Sequence, residues 1–227
     1  MATNINPNIL AEAYNIIKYS YSRQTVFLSI LGISWFWFIG ASILSQIPVL
    51  TKNTLGADES VINLFLAIFS IGVGLGSFWC NRLLNNEVTT KYVFNAAVAM
   101  AILGIDLFFA AKNLAVDANP QELRTLIDFV SKLSSWRIII DLLLFSMLGG
   151  LYIVPLYAVM QTFSSASYRS RIVAANNLMN SIFMCASTVL LSICFTLGCS
   201  VHFMILVVSL MHLVVCGYIY NFLPEVS

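Results

Sequence analysis

The residues best suited to chemistry sit in stretches that are otherwise almost free of charge. Arg169 and Arg171 lead into the uncharged run 172–224, which opens with Asn176, Asn177, Asn180 and Ser181. Asn176, Asn180 and Ser187 recur at intervals of 4 and 7, and Asn177, Ser181, Met184 and Thr188 at 4, 3 and 4. On a helix of about 3.6 residues per turn these positions merge into one broad polar face, with two guanidinium groups at its mouth. Such a face is either hydrogen-bonding glue between helices or the wall of a solute cavity. Three amides beside a paired basic mouth favour the cavity.

Two carboxylates, Asp106 and Asp141, lie well inside apolar runs. An ionisable group facing lipid costs at least about 2.5 kcal/mol, so each must face protein or water. Asp141 shares a helical face with Tyr152, 11 residues on, and stands one turn after Arg137. It is therefore a transport residue or half of a structural pair with Arg137. Asp106, with Lys112 in reach, reads as structural. Trp35, Ser42 and Gln46 share a face at spacings of 7 and 4, within and after Ser34-Trp35-Phe36-Trp37-Phe38, too deep for an interfacial belt. A buried indole N–H needs a partner, so Trp35 and Gln46 join the candidate substrate contacts.

Other motifs carry packing and not reactions. Gly72-Val73-Gly74-Leu75-Gly76-Ser77 resembles a phosphate loop only in isolation, because no strand precedes it. In an apolar 20-mer, Gly72 and Gly76 make a GxxxG face for close helix approach. Gly149-Gly150 and Pro155 predict a kink or loosening of their helix, since proline removes one backbone hydrogen bond. Cys80, Cys185, Cys194, Cys199 and Cys216 form no CxxC pair, and His202 and His212 have no ligand-spaced neighbours, so no metal or cofactor is expected. No GxSxG or HExxH occurs, and no catalytic residue is assigned.

The elements that must position these residues follow from composition. The 227 residues are 59% hydrophobic and 9% charged, with a mean hydropathy of +0.89. A soluble domain is nearer a quarter charged, and one core of this size cannot hide so much apolar surface. A net charge of +1 offers no field for nucleic acid. The charge-free runs predict six helices, at 24–50, 61–80, 92–111, 137–160, 172–197 and 201–222, each long enough for a ~30 Å hydrocarbon core. The fold class is all-α integral membrane, with residues 1–23 as a cytoplasmic lead-in, 24–222 as the membrane domain and 223–227 as a tail.

With the N-terminus inside, Lys18, Arg23, Arg82, Lys91, Arg169 and Arg171 fall on the cytoplasmic side. Lys52, Lys112, Arg124, Lys132 and Arg137 fall outside. Tyr19, Tyr21, Trp79, Tyr92, Tyr218 and Tyr220 form an inner aromatic belt and Trp136 an outer one, so both termini are read as cytoplasmic. Two amphipathic segments are expected to lie on the membrane surface. Ile9, Ala13, Ile16 and Ile17 make one, and Leu123, Leu126, Ile127, Val130 and Leu133, behind Asn119-Pro120, make the other.

Gly32–Ala41 (GISWFWFIGA), Leu55–Ser60 (LGADES), Ser70–Ser77 (SIGVGLGS), Val154–Gln161 (VPLYAVMQ) and Arg169–Met184 (RSRIVAANNLMNSIFM) resemble the second half of a major facilitator superfamily transporter. The branch they most resemble is the bacterial lysophospholipid transporters, including forms fused to acyltransferase modules. The resemblance runs from about residue 20 to 222 and implies half of a twelve-helix fold in the bacterial inner membrane. It implies that the first and fourth spans line the cavity, the second and fifth abut another half, and the third and sixth face lipid. Trp35, Gln46, Asp141, Tyr152, Arg171, Asn176, Asn177 and Asn180 are then the candidate substrate contacts. The partners implied are membrane lipid, an N-terminal half-transporter or a second copy of this chain, and an acyltransferase. Two other readings compete: an inert or structural six-helix remnant of a truncated transporter, and an integral membrane subunit of an acyl-lipid enzyme complex. Neighbouring reading frames discriminate among them.

Overall fold

The computed structural model describes residues 23–85, 87–115 and 123–222. The lead-in segment with its Ile9, Ala13, Ile16 and Ile17 face, the Asn119-Pro120 start and the tail lie outside these residues. Six helices are long and apolar enough to cross a membrane, the architecture of a multi-pass all-α membrane protein. They are α1 (Gln24–Val49), which continues as a π-helical turn over Leu50–Thr54, α2 (Glu59–Leu83), α3 (Val93–Leu114), α5 (Leu133–Thr162), α6 (Arg169–Thr196) and α7 (Val201–Phe222). A short α4 (Leu126–Val130) lies between α3 and α5. Among the described residues no strand forms, only an isolated bridge between Ala57 and Arg124. The first helix runs to Thr54 and the fourth span starts at Leu133, each about one turn beyond the span expected from the sequence. Lys52 and Arg137 can sit on helical turns because long cationic side chains reach the interface.

The packing has a simple order. α2 packs on α5 and α6 on α1; α3 packs on α5 and α7 on α1; α1 meets α5, and α3 meets α7. Exchanging the first three spans for the last three returns these six pairs; the lesser contacts of α1 with α2 and of α6 with α7 fall outside the exchange. Because successive spans cross in opposite directions, the two triplets also have opposite orientation. The centre is α1, the most buried span, and α6 is the least buried.

Close approach at one seam depends on glycine. A Cβ on Gly72 would meet the Ser146 side chain and the Leu143 carbonyl, and one on Gly76 would enter the Met147 backbone. From the other side, a Cβ on Gly150 would stand 2.6 Å from Ser77 N and from the Val73 carbonyl oxygen. The GxxxG face is thus used inside this chain, between α2 and α5. Gly149 packs against the Phe36 ring, and the helix runs unbroken through the buried Pro155. The glycine pair in α5 serves contact: Gly149 with α1, Gly150 with α2.

At one end of the bundle two connections form a cap. Leu55 and Ala57 are fully buried, and Gly56 takes a positive φ of 58° that suits a residue without Cβ. Arg124 N donates to the Gly56 carbonyl at 2.8 Å, and Asp58 N to the Arg124 carbonyl at 3.0 Å. Asp58 caps α2 by accepting from Ser60 N at 2.9 Å, and Thr125 and Asp128 form a capping box on α4. Phe129 is fully buried against Phe65 of α2, with ring centroids 5.6 Å apart. The expected surface helix is therefore shorter than the apolar pattern and docks inward. Its buried anchor, Phe129, was not among the five residues assigned to the apolar face, of which Leu123, Ile127 and Leu133 are exposed.

Candidate functional site

Three polar groupings interrupt the apolar bundle. The first joins α1 to α6. Asn176 and Asn180, one turn apart on α6, are buried against α1. With its oxygen turned to donors, the Asn180 amide accepts from Asn176 Nδ2 at 3.1 Å and Trp37 Nε1 at 3.3 Å. It then donates to the Asn176 carbonyl at 3.1 Å and to Ser34 Oγ at 2.9 Å. The Trp37 indole also reaches Tyr157 Oη of α5 at 3.4 Å. Asn176 Oδ1 keeps no partner. The polar face read on α6 therefore splits by one residue. Asn176, Asn180 and Ser187 point into the bundle, while Asn177, Ser181 and Thr188 are exposed.

The second grouping joins α1, α5 and α7. Trp35 Nε1 donates to His212 Nδ1 at 3.0 Å, and His212 Nε2 lies 3.7 Å from Cys216 Sγ. Since the indole can only donate, Nδ1 must accept, and the neutral ring carries its hydrogen on Nε2. That nitrogen is then a donor toward the thiol and does not take its proton. The cluster is a packing device, not a nucleophile with its base. Tyr152 completes it: fully buried, its hydroxyl donates to the Gly32 carbonyl at 3.1 Å, and its ring stands edge-on to His212 at 6.1 Å. Sequence reasoning missed His212; the signal available was a helical neighbour, Cys216, one turn away on the most apolar kind of face.

The third grouping corrects the expected ion pairs. Arg137 forks onto both oxygens of Asp106 on α3, with Nε 3.0 Å from Oδ2 and Nη2 on Oδ1. Arg137 does not pair with Asp141, one turn along its own helix. Lys112 does not reach Asp106; its ammonium sits over the Phe108 ring at 5.9 Å. A bidentate guanidinium fork demands a coplanar carboxylate, which the facing helix presents and the same helix does not. Asp141 is 5% exposed, its Oδ2 has no partner, and its carboxyl faces that of Asp106. Two membrane carboxyls thus meet across two helices, a pairing hidden from one-dimensional spacing.

The remaining candidates lie apart. Arg171 is half-buried at the other end of α6, with its guanidinium 5.6 Å from the Tyr168 ring centre. Arg169, read with it as a basic mouth, donates instead to the Gln161 carbonyl at 3.1 Å, where Arg23 also reaches the Phe163 carbonyl at 3.3 Å. Both cap the last turn of α5, where unpaired carbonyls attract cations. Gln46 lines a pocket of about 320 Å³ between α1, α6 and α7. So Asn176 and Asn180 come together, as do Trp35 and Tyr152, while Asp141, Arg171, Asn177 and Gln46 each stand elsewhere. Among the described residues no group of three or more His, Cys, Asp and Glu side chains could hold a metal ion. Comparison with family models, curated proteins and solved structures returned no match.

Proposed function

We propose that this chain is a six-helix half of a membrane transporter of the major facilitator type, moving lysophospholipid across a bacterial inner membrane with both termini cytoplasmic. The observation that carries this reading is the exchange symmetry of the packing, in which two inverted three-helix units share one centre. Transporters are recurrently built from such repeats, because two oppositely oriented units can rock about a site between them. The exposed polar stripe of α6, with Asn177, Ser181 and Thr188, is the natural edge for a missing wall. An N-terminal half or a second copy supplies that wall, and an acyltransferase consumes the lipid delivered. Along this edge Asn177 donates to phosphate and glycerol oxygens, and Arg171 receives the phosphate in its planar fork.

The test is flux of a labelled lysophospholipid into proteoliposomes at increasing chain density. Flux that rises with the square of density indicates a working pair of copies. Flux that appears only with a co-expressed six-helix half indicates a split transporter. No flux in either case supports the second reading, a structural six-helix subunit. That reading is favoured by the occupation of Asn176 and Asn180 in packing contacts and not in a cavity wall.

A further inference from the structure

Asp106 and Asp141 come to the same level of the bundle because α3 and α5 run in opposite directions. Asp106 stands one and two-thirds turns or more before the end of α3 at Leu114, and Asp141 as far after the start of α5 at Leu133. At ~1.5 Å per residue each lies about 12 Å below the capped end. Their carboxyls meet within hydrogen-bonding reach. Yet an ionised carboxylate has no hydrogen to offer another.

The charges around this pair do not balance. Arg137 uses its fork on both oxygens of Asp106. The Asp141 side chain is almost fully buried, and its Oδ2 meets no donor. With both carboxyls ionised, one negative charge would stay uncompensated. No other titratable group among the described residues acts on either carboxyl. At the ends of α1 and α2, Lys52 and Glu59 pair with each other at 2.9 Å. On α3, Lys112 lies over the Phe108 ring. Asp128 of α4 is bound to Thr125, with Lys132 nearby. On α7, His202 stands beside Phe108 and Lys112, and His212 is held by Trp35. A metal ion does not suit the gap either. No third ligand joins the two carboxyls among the described residues, and the guanidinium repels a second cation.

A proton fits where a metal does not. It needs one oxygen to carry it and one to accept it, and both are in place. The fork leaves lone pairs on Asp106, because a carboxylate has about four acceptor sites. Two carboxyls pressed together resist ionising both, and such a pair keeps one proton between them.

We propose that Asp141 holds a proton at neutral pH and donates it to Asp106, so that this proton closes the contact between α3 and α5. The protonated Asp141, the Asp106 carboxylate and the Arg137 guanidinium are then neutral together. When the proton leaves, the O–H electron pair stays on Asp141, and the proton passes to water by way of the part-exposed Asp106. Two anions then face each other. Arg137, one turn from Asp141 on the same helix, is drawn between them. The fork that ties α3 to α5 is weakened. Since α3 and α5 belong to different triplets, the proton sets how tightly the triplets are joined. The site stands whether or not the chain moves a solute.

The experiment uses the full chain in maltoside detergent, which has no carbonyl group. It is titrated from neutral to alkaline pH, above the ordinary carboxylate range, and followed by infrared spectroscopy. The deuterium-sensitive carbonyl stretch of a protonated carboxyl is expected at neutral pH and should fade as pH rises. Asp141→Asn, whose amide still donates to Asp106, should lack that band. Asp106→Asn should lack it too, because it frees Arg137 to pair with Asp141. The thermal midpoint gives a second readout. A native chain holding a proton that the unfolded chain has released loses stability as pH rises, by up to about tenfold in the unfolding constant per pH unit. The parental midpoint should therefore fall relative to that of Asp141→Asn across the range in which the band fades. No such band in the parent, a band that persists in either variant, or parallel midpoint profiles in parent and Asp141→Asn overturns the proposal. The parental band is read without any substitution, so the proposal stays exposed to refutation even if a variant fails to fold.

Discussion

Exchange of the two triplets makes α2 on α5 and α6 on α1 equivalent pairs, yet the two seams are built from opposite chemistry. The α2–α5 seam is a backbone contact: Gly72, Gly76 and Gly150 bring the helices so close that any Cβ would collide with main chain or Ser146. The α6–α1 seam is a side-chain contact, in which the Asn180 amide binds Ser34 and Trp37. In a membrane, where lipid tails are as apolar as leucine, close van der Waals packing and hydrogen bonds are the two available glues. The first is rigid, because backbone cannot step aside. The second can be re-formed with another partner after small shifts. Burial follows the same division of roles: 28% of the most apolar window of α2, the outer helix of the glycine seam, is buried against 17% of that of α6, its counterpart. The hydrogen-bonded flank is the one left open for something else.

The largest expected effect comes from breaking the rigid seam. Gly76→Val forces a side chain into the Met147 backbone and should cost about 3 kcal/mol, the upper end of overpacking penalties. Thermal unfolding in detergent, followed by loss of the monodisperse peak, measures it. On the other flank, Asn180→Leu removes two contacts to α1 and should cost about 1–2 kcal/mol, at roughly 0.6–1 kcal/mol for each intramembrane bond. If Asn180→Leu proves as damaging as Gly76→Val, the contrast between the seams collapses.

Asn177→Leu sharpens the same contrast. Its side chain is exposed one position from the buried Asn176, so its unfolding midpoint should match the parent. In an assembled transporter the same change should remove most of the lysophospholipid flux, and Arg171→Lys part of it, with membrane levels unchanged. Parental flux from both variants would make the exposed stripe of α6 a lipid face. Arg137→Gln lies on neither seam; because the pair it forms with Asp106 is 46% and 38% exposed, its loss should lower the unfolding midpoint by less than Asn180→Leu does.

The smallest effect belongs to the cap, which anchors α2 through Phe129. The Ser60 hydroxyl holds the Asp58 carboxyl below the usual carboxylate range, and Thr125 does the same for Asp128. A carboxylate with a lowered folded pKa contributes stability above its unfolded pKa and loses it as pH falls through the folded one. Acidification below about pH 4 should therefore loosen the cap first. Amide exchange at Ser60, Leu126 and Asp128, corrected for intrinsic rates, should rise there before exchange in α1 does. Equal protection of the cap and α1 across that range would count against it.

How much of this could be read in advance depends on whether the cause is local. The six spans follow from the spacing of charges, since one ionisable group in hydrocarbon outweighs many weak propensities. The helix-contact role of Gly72 and Gly76 follows too, because only residues without side chains allow backbone approach. Span ends were displaced by about a turn where Lys52 and Arg137 extend helices past the apolar runs. The site was less legible. Helical periodicity places Asn176 and Asn177 on one broad face, but a contact boundary with α1 runs between them.

The amino-acid sequence by itself determined the number of spans, their apolar length and the glycine face, because each is set by the cost of placing one residue type in hydrocarbon. Tertiary structure alone decided which polar groups are partnered. Arg137 chose Asp106 over the nearer Asp141, since fork geometry depends on the facing helix and not on separation along the chain. Trp35 found His212 across 177 residues, and Phe129 found Phe65 from a loop whose apolar pattern pointed elsewhere. Gln46 came to line a pocket between α1, α6 and α7, and a gap between helices has no signature in any one of them.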